Sequence, residues 1–386
     1  MKDSKHLQSS IILLSVVIFA GVLFSSPAAV STVGGQPLSW NTSNHPSQDG
    51  RAGTSTIRAS PITESCTIFT AAIGDRVFFG NNEDYFLDGT YLWLVPSQEI
   101  TTPEGTSEIF GAAFFGFDSN DNSVDGYPQG GINIHGLCVD GNGLPTVPMN
   151  PHPERDYYYG YLLSTVLWEC RTVEEVITWF QTHYLGDSWS CQLPFADATG
   201  DAVVVSVGTD GEFAFTRIGT SNYLVSTNFN LANYANGHYP CWRYETATYM
   251  LDDITQEEDL TMEACRDVLE AVHVEGFSAT KYSNVFNLVT RTIYLWEPER
   301  RGFDEMVMLN LYEELAQVVP GAPGVTTRPE LYYILVKTIR ITDLFDSSTT
   351  PPAPEIEAIV LVLGVAFVCV PVVVTSIALI RKRKSG

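Results

Sequence analysis

Two short apolar runs open the patterned part of the chain. TIFTAAI begins at Thr67 and VFFGNNED begins at Val77, with Gly74 and Asp75 between them. Runs of this length, rich in β-branched and aromatic residues and bounded by turn formers, predict strands at 67–73 and 76–82 joined as a hairpin. The same pattern predicts strands at 202–207, 212–217, 222–227, 282–288, 291–296 and 306–311. Apolar residues at helical spacing predict helices at 156–169, 172–184, 244–252, 261–272 and 329–345. This arrangement argues for the α+β class, and periodicity alone goes no further.

The pattern changes character at both ends. An apolar run at 11–24 follows Lys2 and Lys5 and precedes the small residues SSPAAVS, the layout of a secretory signal over 1–30. Residues 358–380 carry no charge and are followed by RKRK. Such a stretch can cross about 30 Å of hydrocarbon, which predicts one transmembrane helix with a basic cytoplasmic tail at 381–386. Two low-complexity segments remain: a Ser/Thr/Gly-rich linker or propeptide at 31–65 and a Pro/Thr-rich stalk at 347–357. The expectation is a single-pass protein of the cell membrane whose domain, 66–346, lies outside the cytoplasm.

Composition narrows the partners. The chain has 45 acidic against 21 basic residues, a formal charge of −24. That field repels phosphate backbones and argues against nucleic acid. Seven cysteines are present. Cys369 falls in the membrane segment, and Cys138, Cys170, Cys191, Cys241 and Cys265 lie scattered through patterned runs without metal-ligand spacing. Neither a metal nor a cofactor is expected. Export permits disulfides, and the pairing stays open.

Cys66 is placed differently, at the junction of the polar leader and the first strand. A two-residue turn pairs Ile73 with Arg76 and sets Cys66 opposite Glu83. A three-residue loop sets it opposite Asp84, on the face of Asn82. Either register brings the thiol to the acidic cluster Asn81-Asn82-Glu83-Asp84. No histidine lies between His45 and His135 to act as a local base. Cleavage before Cys66 would supply one, because a new α-amino group titrates near pH ~8 beside the sulfur.

The order of segments resembles the N-terminal-nucleophile hydrolases, in the linear-amide branch with choloylglycine hydrolases, penicillin V acylase, acid ceramidase and isopenicillin N acyltransferase. CTIF followed by VFFGNNEDY is similar to that family's opening strand and turn. GGINIHGLCVDGNGLP, FADATGDAVVVSV, YLVSTNFN, CWRYETATYML, YSNVFNLVTRTIYLW and VMLNLYEEL then resemble its later segments in sequence order. The resemblance covers about residues 66–315 and implies an αββα four-layer sandwich. It implies Cys66 as nucleophile, Asp84 as positioner of its amine, Asn228 as oxyanion donor and Arg243 as a charge that neutralises the site near the nucleophile or holds Asp84. Asn82 and Asn142 follow as weaker candidates for substrate or oxyanion contacts. It also implies cleavage of Ser65–Cys66.

One departure stands out. Choloylglycine hydrolases and acid ceramidase carry an arginine in the opening turn, where this chain has Asn81-Asn82; the acyltransferase-like branch also lacks that arginine, and the resemblance is nearest there. The implied activity is cleavage of a small-molecule N-acyl amide through a Cys66 thioester. An acyltransferase, an N-terminal-nucleophile dipeptidase and a non-catalytic surface domain remain open alternatives. No Gly-x-Ser-x-Gly and no His-Glu-x-x-His motif occurs.

Overall fold

The computed structural model describes residues 66–86, 88–102, 105–117, 127–158, 160–328 and 334–348. The expected signal segment, the leader at 31–65, most of the stalk, the membrane helix and the tail lie outside the described residues. Among the described residues no helix is long and apolar enough to cross a membrane.

The opening hairpin forms with its shortest turn. Strand β1 (Thr67–Ile73) pairs antiparallel with β2 (Arg76–Asp84), and Ile73 lies opposite Arg76. Gly74 takes the left-handed backbone angle, φ 60°, that a two-residue turn demands, and the amide of Asp75 donates to Glu257 Oε1 at 3.0 Å. This register fixes the faces of both strands. Ile68, Val77 and Phe79 point to one side, while Phe69, Ala71 and Phe78 point to the other.

Around the hairpin, six strands form one antiparallel sheet in the order Tyr223–Ser226, β1, β2, Thr280–Asn287, Thr292–Trp296 and Val307–Asn310. A ten-stranded antiparallel sheet faces it, with Ala112–Phe117, Tyr127–Asn133, Ser188–Ala196 and Ala202–Val207 among its strands. Ile68 and Phe79 of the first sheet pack against Leu92, Phe115 and Ile132 of the second. On its outer face the six-stranded sheet packs Phe69, Phe78 and Val285 against helices Trp242–Asp252 and Met262–Val272. The ten-stranded sheet packs Val139, Phe195 and Val203 against helices Leu162–Glu169 and Val173–Thr182. The layers therefore run helix, sheet, sheet, helix.

Local chemistry accounts for the helix ends. Thr172 accepts from the amide of Glu175, and Thr261 from that of Ala264, each supplying a partner to an otherwise orphaned donor. Helix Trp242–Asp252 has no capping side chain. Its first turn is instead tied to the sheet by Arg243.

Three expectations are corrected. The helix read at 329–345 is strand over Ile334–Arg340, which pairs with Thr90–Val95, and helix begins only at Ile341. ILVKTIR alternates its buried positions at Ile334 and Val336, a period of two that the apolar density of the run conceals. The helix read from 156 begins at Leu162, because Asp156 and Tyr157 bridge to His183 and Tyr184. That bridge also ends the next helix at Thr182. The strands Thr90–Val95, Ala112–Phe117 and Ser188–Ala196 escaped the pattern, since most of their residues are buried on both faces and do not alternate.

Candidate active site

Cys66 is 2% exposed and immediately precedes β1. Its thiol donates to Glu83 Oε1 at 3.6 Å, the cross-strand neighbour that the two-residue turn dictates. Its carbonyl oxygen accepts from Arg243 Nη1 at 2.7 Å and from Asn142 Nδ2 at 3.2 Å. The first residue of the described chain is thus held at the backbone by two side chains that are 76 and 177 residues distant in sequence.

Arg243 is the hub. Nη1 also donates to Thr67 Oγ1 at 2.9 Å, and Nη2 to Asn228 Oδ1 at 2.9 Å. A guanidinium only donates, so this contact fixes the orientation of the Asn228 amide, whose Nδ2 donates to the carbonyl of Gly143 at 3.1 Å. That NH₂ retains a second proton. The Asn142 amide is oriented in the same way, since Nδ2 faces the Cys66 carbonyl while Oδ1 accepts from the Ser226 hydroxyl.

Asp84 ends β2 on the opposite face from Glu83. Its Oδ2 stands 3.9 Å from Arg243 Nη1, and its Oδ1 accepts from the Thr280 hydroxyl. Sharing Nη1 with the Cys66 carbonyl places this carboxyl beside the Cys66 backbone. Complete burial pushes its pKa up to about 8, against the downward pull of the Thr280 hydrogen bond and the Arg243 charge. A neutral carboxyl at pH 7 is the consequence while no further cation is present.

The structure brings Cys66, Asp84, Asn142, Asn228 and Arg243 together. It does not bring Asn82 to the thiol. That side chain faces the helices, donating to the carbonyl of Leu269 at 2.8 Å and accepting from Ser283 Oγ at 2.6 Å. Its two amide ends are thereby occupied by structure. Among the aromatic residues of neighbouring runs, Trp93 lies in the core and Tyr158 packs edge-on to Trp179 at 5.1 Å.

Sequence reasoning set Glu83 opposite Cys66 in one of two registers without giving it a role, and it passed over Thr280 and Ser226. Glu83 carried a usable signal, because the shortest turn already put it opposite Cys66. Thr280 and Ser226 carried none, as each acts through a pairing known only once the sheet is assembled. Of the scattered cysteines, Cys138, Cys170 and Cys265 are buried thiols in the three apolar layers, where burial pushes each pKa upward.

The fold matches solved structures. An arginine-to-leucine variant of conjugated bile acid hydrolase from Clostridium perfringens superposes with a TM-score of 0.51 at 14% identity, covering 71% of this chain and 97% of that one. A cysteine-to-alanine mutant of the same enzyme gives 0.48 at 14% identity over 64% and 93% of the two chains. Penicillin V acylase from Agrobacterium tumefaciens gives 0.46 at 13% over 64% and 86%. No protein-family model matches the sequence, and no curated protein does. At the level of fold, the chain is built as the resemblance to N-terminal-nucleophile hydrolases implied.

Proposed function

We propose that this protein is a cysteine amidohydrolase that cleaves a linear N-acyl amide, after its own chain is cut between Ser65 and Cys66. One observation carries the reading: Arg243 and Asn142 hold the backbone carbonyl of a cysteine at the start of the first strand, and Arg243 is itself set between Asn228 and Asp84. An ordinary core cysteine has no use for a buried guanidinium on its carbonyl. A residue that must become a chain terminus and stay in place does.

The reaction follows from these groups. The cut frees the Cys66 α-amine, which takes the thiol proton as Sγ bonds to the substrate carbonyl carbon. The carbonyl π electrons move to oxygen, and the remaining Nδ2 proton of Asn228 is the candidate donor to that oxyanion. The α-ammonium then protonates the departing nitrogen as the C–N bond breaks, leaving a thioester. Water adds to the thioester with the amine again as base, and the acid leaves as the thiol re-forms. Asp84 positions the α-amine. The ammonium formed at each turnover is the cation that draws its raised carboxyl back toward the ionised form.

The setting is part of the proposal: an exported domain tethered by the hydrophobic segment at 358–380, with its site facing outward. The test is N-terminal sequencing with intact mass of the purified protein and of Cys66→Ala. A wild-type chain beginning at Cys66 and an uncut variant support the reading. A wild-type chain that runs uncut through Ser65–Cys66 removes the proposed base and with it the mechanism.

A further inference from the structure

Two asparagines that this reaction does not use lie on the face of the six-stranded sheet that carries the Cys66 thiol. Asn81 of β2 stands in register with Ile68 of β1 and with Asn284 of the strand Thr280–Asn287. Two residues closer to the strand ends, Glu83 lies opposite Tyr282 and meets the thiol. Alternate residues share a face, so the inner side of the sheet presents rows. The first is Cys66, Glu83 and Tyr282; the second is Ile68, Asn81 and Asn284. The third contains Phe79 and Phe286, whose rings stack at 6.0 Å.

The second row is polar inside an apolar layer. Asn81 and Asn284 are each 0% exposed, and no nitrogen or oxygen of either amide has a hydrogen-bond partner among the described residues. The Tyr282 hydroxyl is likewise unpartnered, and burial, with the charges of Glu83, Asp140 and Cys66, holds its pKa up so that it remains a donor. Folded interiors contain few such groups, because each has given up its water without replacement. Asparagine is also a poor strand former, so neither packing nor propensity accounts for two of them side by side.

We infer that Asn81, Asn284 and the Tyr282 hydroxyl form a subsite for an acyl group bearing an uncharged carboxamide or an equivalent donor-acceptor group. The inference rests on the cysteine amidohydrolase reading for the link to Sγ. In that reaction the amine departs while the acyl part stays bonded to sulfur, so the group that reaches deeper between the sheets belongs to the acyl chain. Adjacent rows are about 6–7 Å apart along a strand, which four or five bonds from the scissile carbonyl span. The row itself is neutral and offers both NH₂ donors and carbonyl acceptors, the complement of another amide. An all-hydrocarbon chain leaves these groups unsatisfied, which is how a polar site discriminates against an apolar isostere.

The test compares glutaramic acid with 5-methylhexanoic acid, which share the carboxylate and chain length and differ in the far group. Each is titrated as a protector of Cys66 against iodoacetamide in the purified mature protein, read by mass spectrometry, and the matching p-nitroanilides are assayed for hydrolysis. Glutaramic acid should protect at a concentration about tenfold lower or less, with the same preference in kcat/KM. Asn81→Leu/Asn284→Leu should abolish or invert the ratio. Protection by neither acid, a wild-type ratio within about twofold, or a ratio untouched in the double variant overturns the subsite. The wild-type ratio needs no variant to fold. If catalysis itself is absent, the anilides stay intact while the protection ratio still decides the subsite.

Discussion

Arg243 divides its donors among the Cys66 carbonyl, Thr67 and Asn228, and stands beside Asp84, with 6% of its surface exposed. Arg243→Ala leaves those acceptors buried and Asp84 without this cation. The expected cost is about 3–5 kcal/mol in urea unfolding, the scale for breaking a buried charged network. Arg243→Lys should recover only part of it, because one ammonium cannot span the positions that a planar fork reaches. Recovery to the wild-type midpoint would mean that charge alone matters here. Cys66, Asp84, Asn142, Asn228 and Arg243 could be read as site residues because each sits in a segment whose order the sequence preserves. Thr280 and Asn284 could not, since they meet β2 from about 200 residues away and only through sheet register.

The hairpin turn decides which carboxylate meets the thiol. Gly74 and Asp75 hold Ile73 against Arg76, and from that pairing Glu83 follows as the neighbour of Cys66. Inserting one glycine after Gly74 shifts the register by one and turns every side chain of one strand to the other face. The insertion should abolish cleavage at Ser65–Cys66, read by intact mass, even if the protein still expresses. Gly80 tests packing on the outer face of β2. A Cβ there would lie 2.5 Å from ring atoms of Phe69, so Gly80→Ala should destabilise by about 1–3 kcal/mol in urea. At this scale the hairpin, the strands of the six-stranded sheet, Ala202–Val207 and four helices were legible, because turn formers bound each apolar run. The centre of the ten-stranded sheet was not, because its strands do not alternate and Gly and Pro stand inside two of them, YPQGGIN and NGLPTVP, where they read as turns.

Two carboxyls raised by complete burial give the molecule a characteristic pH response. Asp84 is pushed to about 8 and Asp140 to about 7, both by burial, from an ordinary 3.8. The folded state then binds protons that the unfolded chain has already released. The stabilisation these groups contribute is complete below about pH 4 and is lost as pH rises through about 7 to 8. Thermal unfolding of the uncut Cys66→Ala protein should show a midpoint that falls across this window, with a shallower fall in Cys66→Ala/Asp84→Asn. A midpoint flat between pH 5 and 8 would show that these carboxyls ionise without penalty.

Chain ends usually fray, because their last residues have few partners. Here Arg243 and Asn142 grip the carbonyl of Cys66 while the chain is still continuous, and Glu83 meets its thiol. Under the proposed cleavage the new terminus is moored before it exists, and an exopeptidase finds no loose end to draw into its cleft. Prolonged incubation of the mature protein with an aminopeptidase should leave Cys66 in place, whereas Arg243→Ala should surrender it.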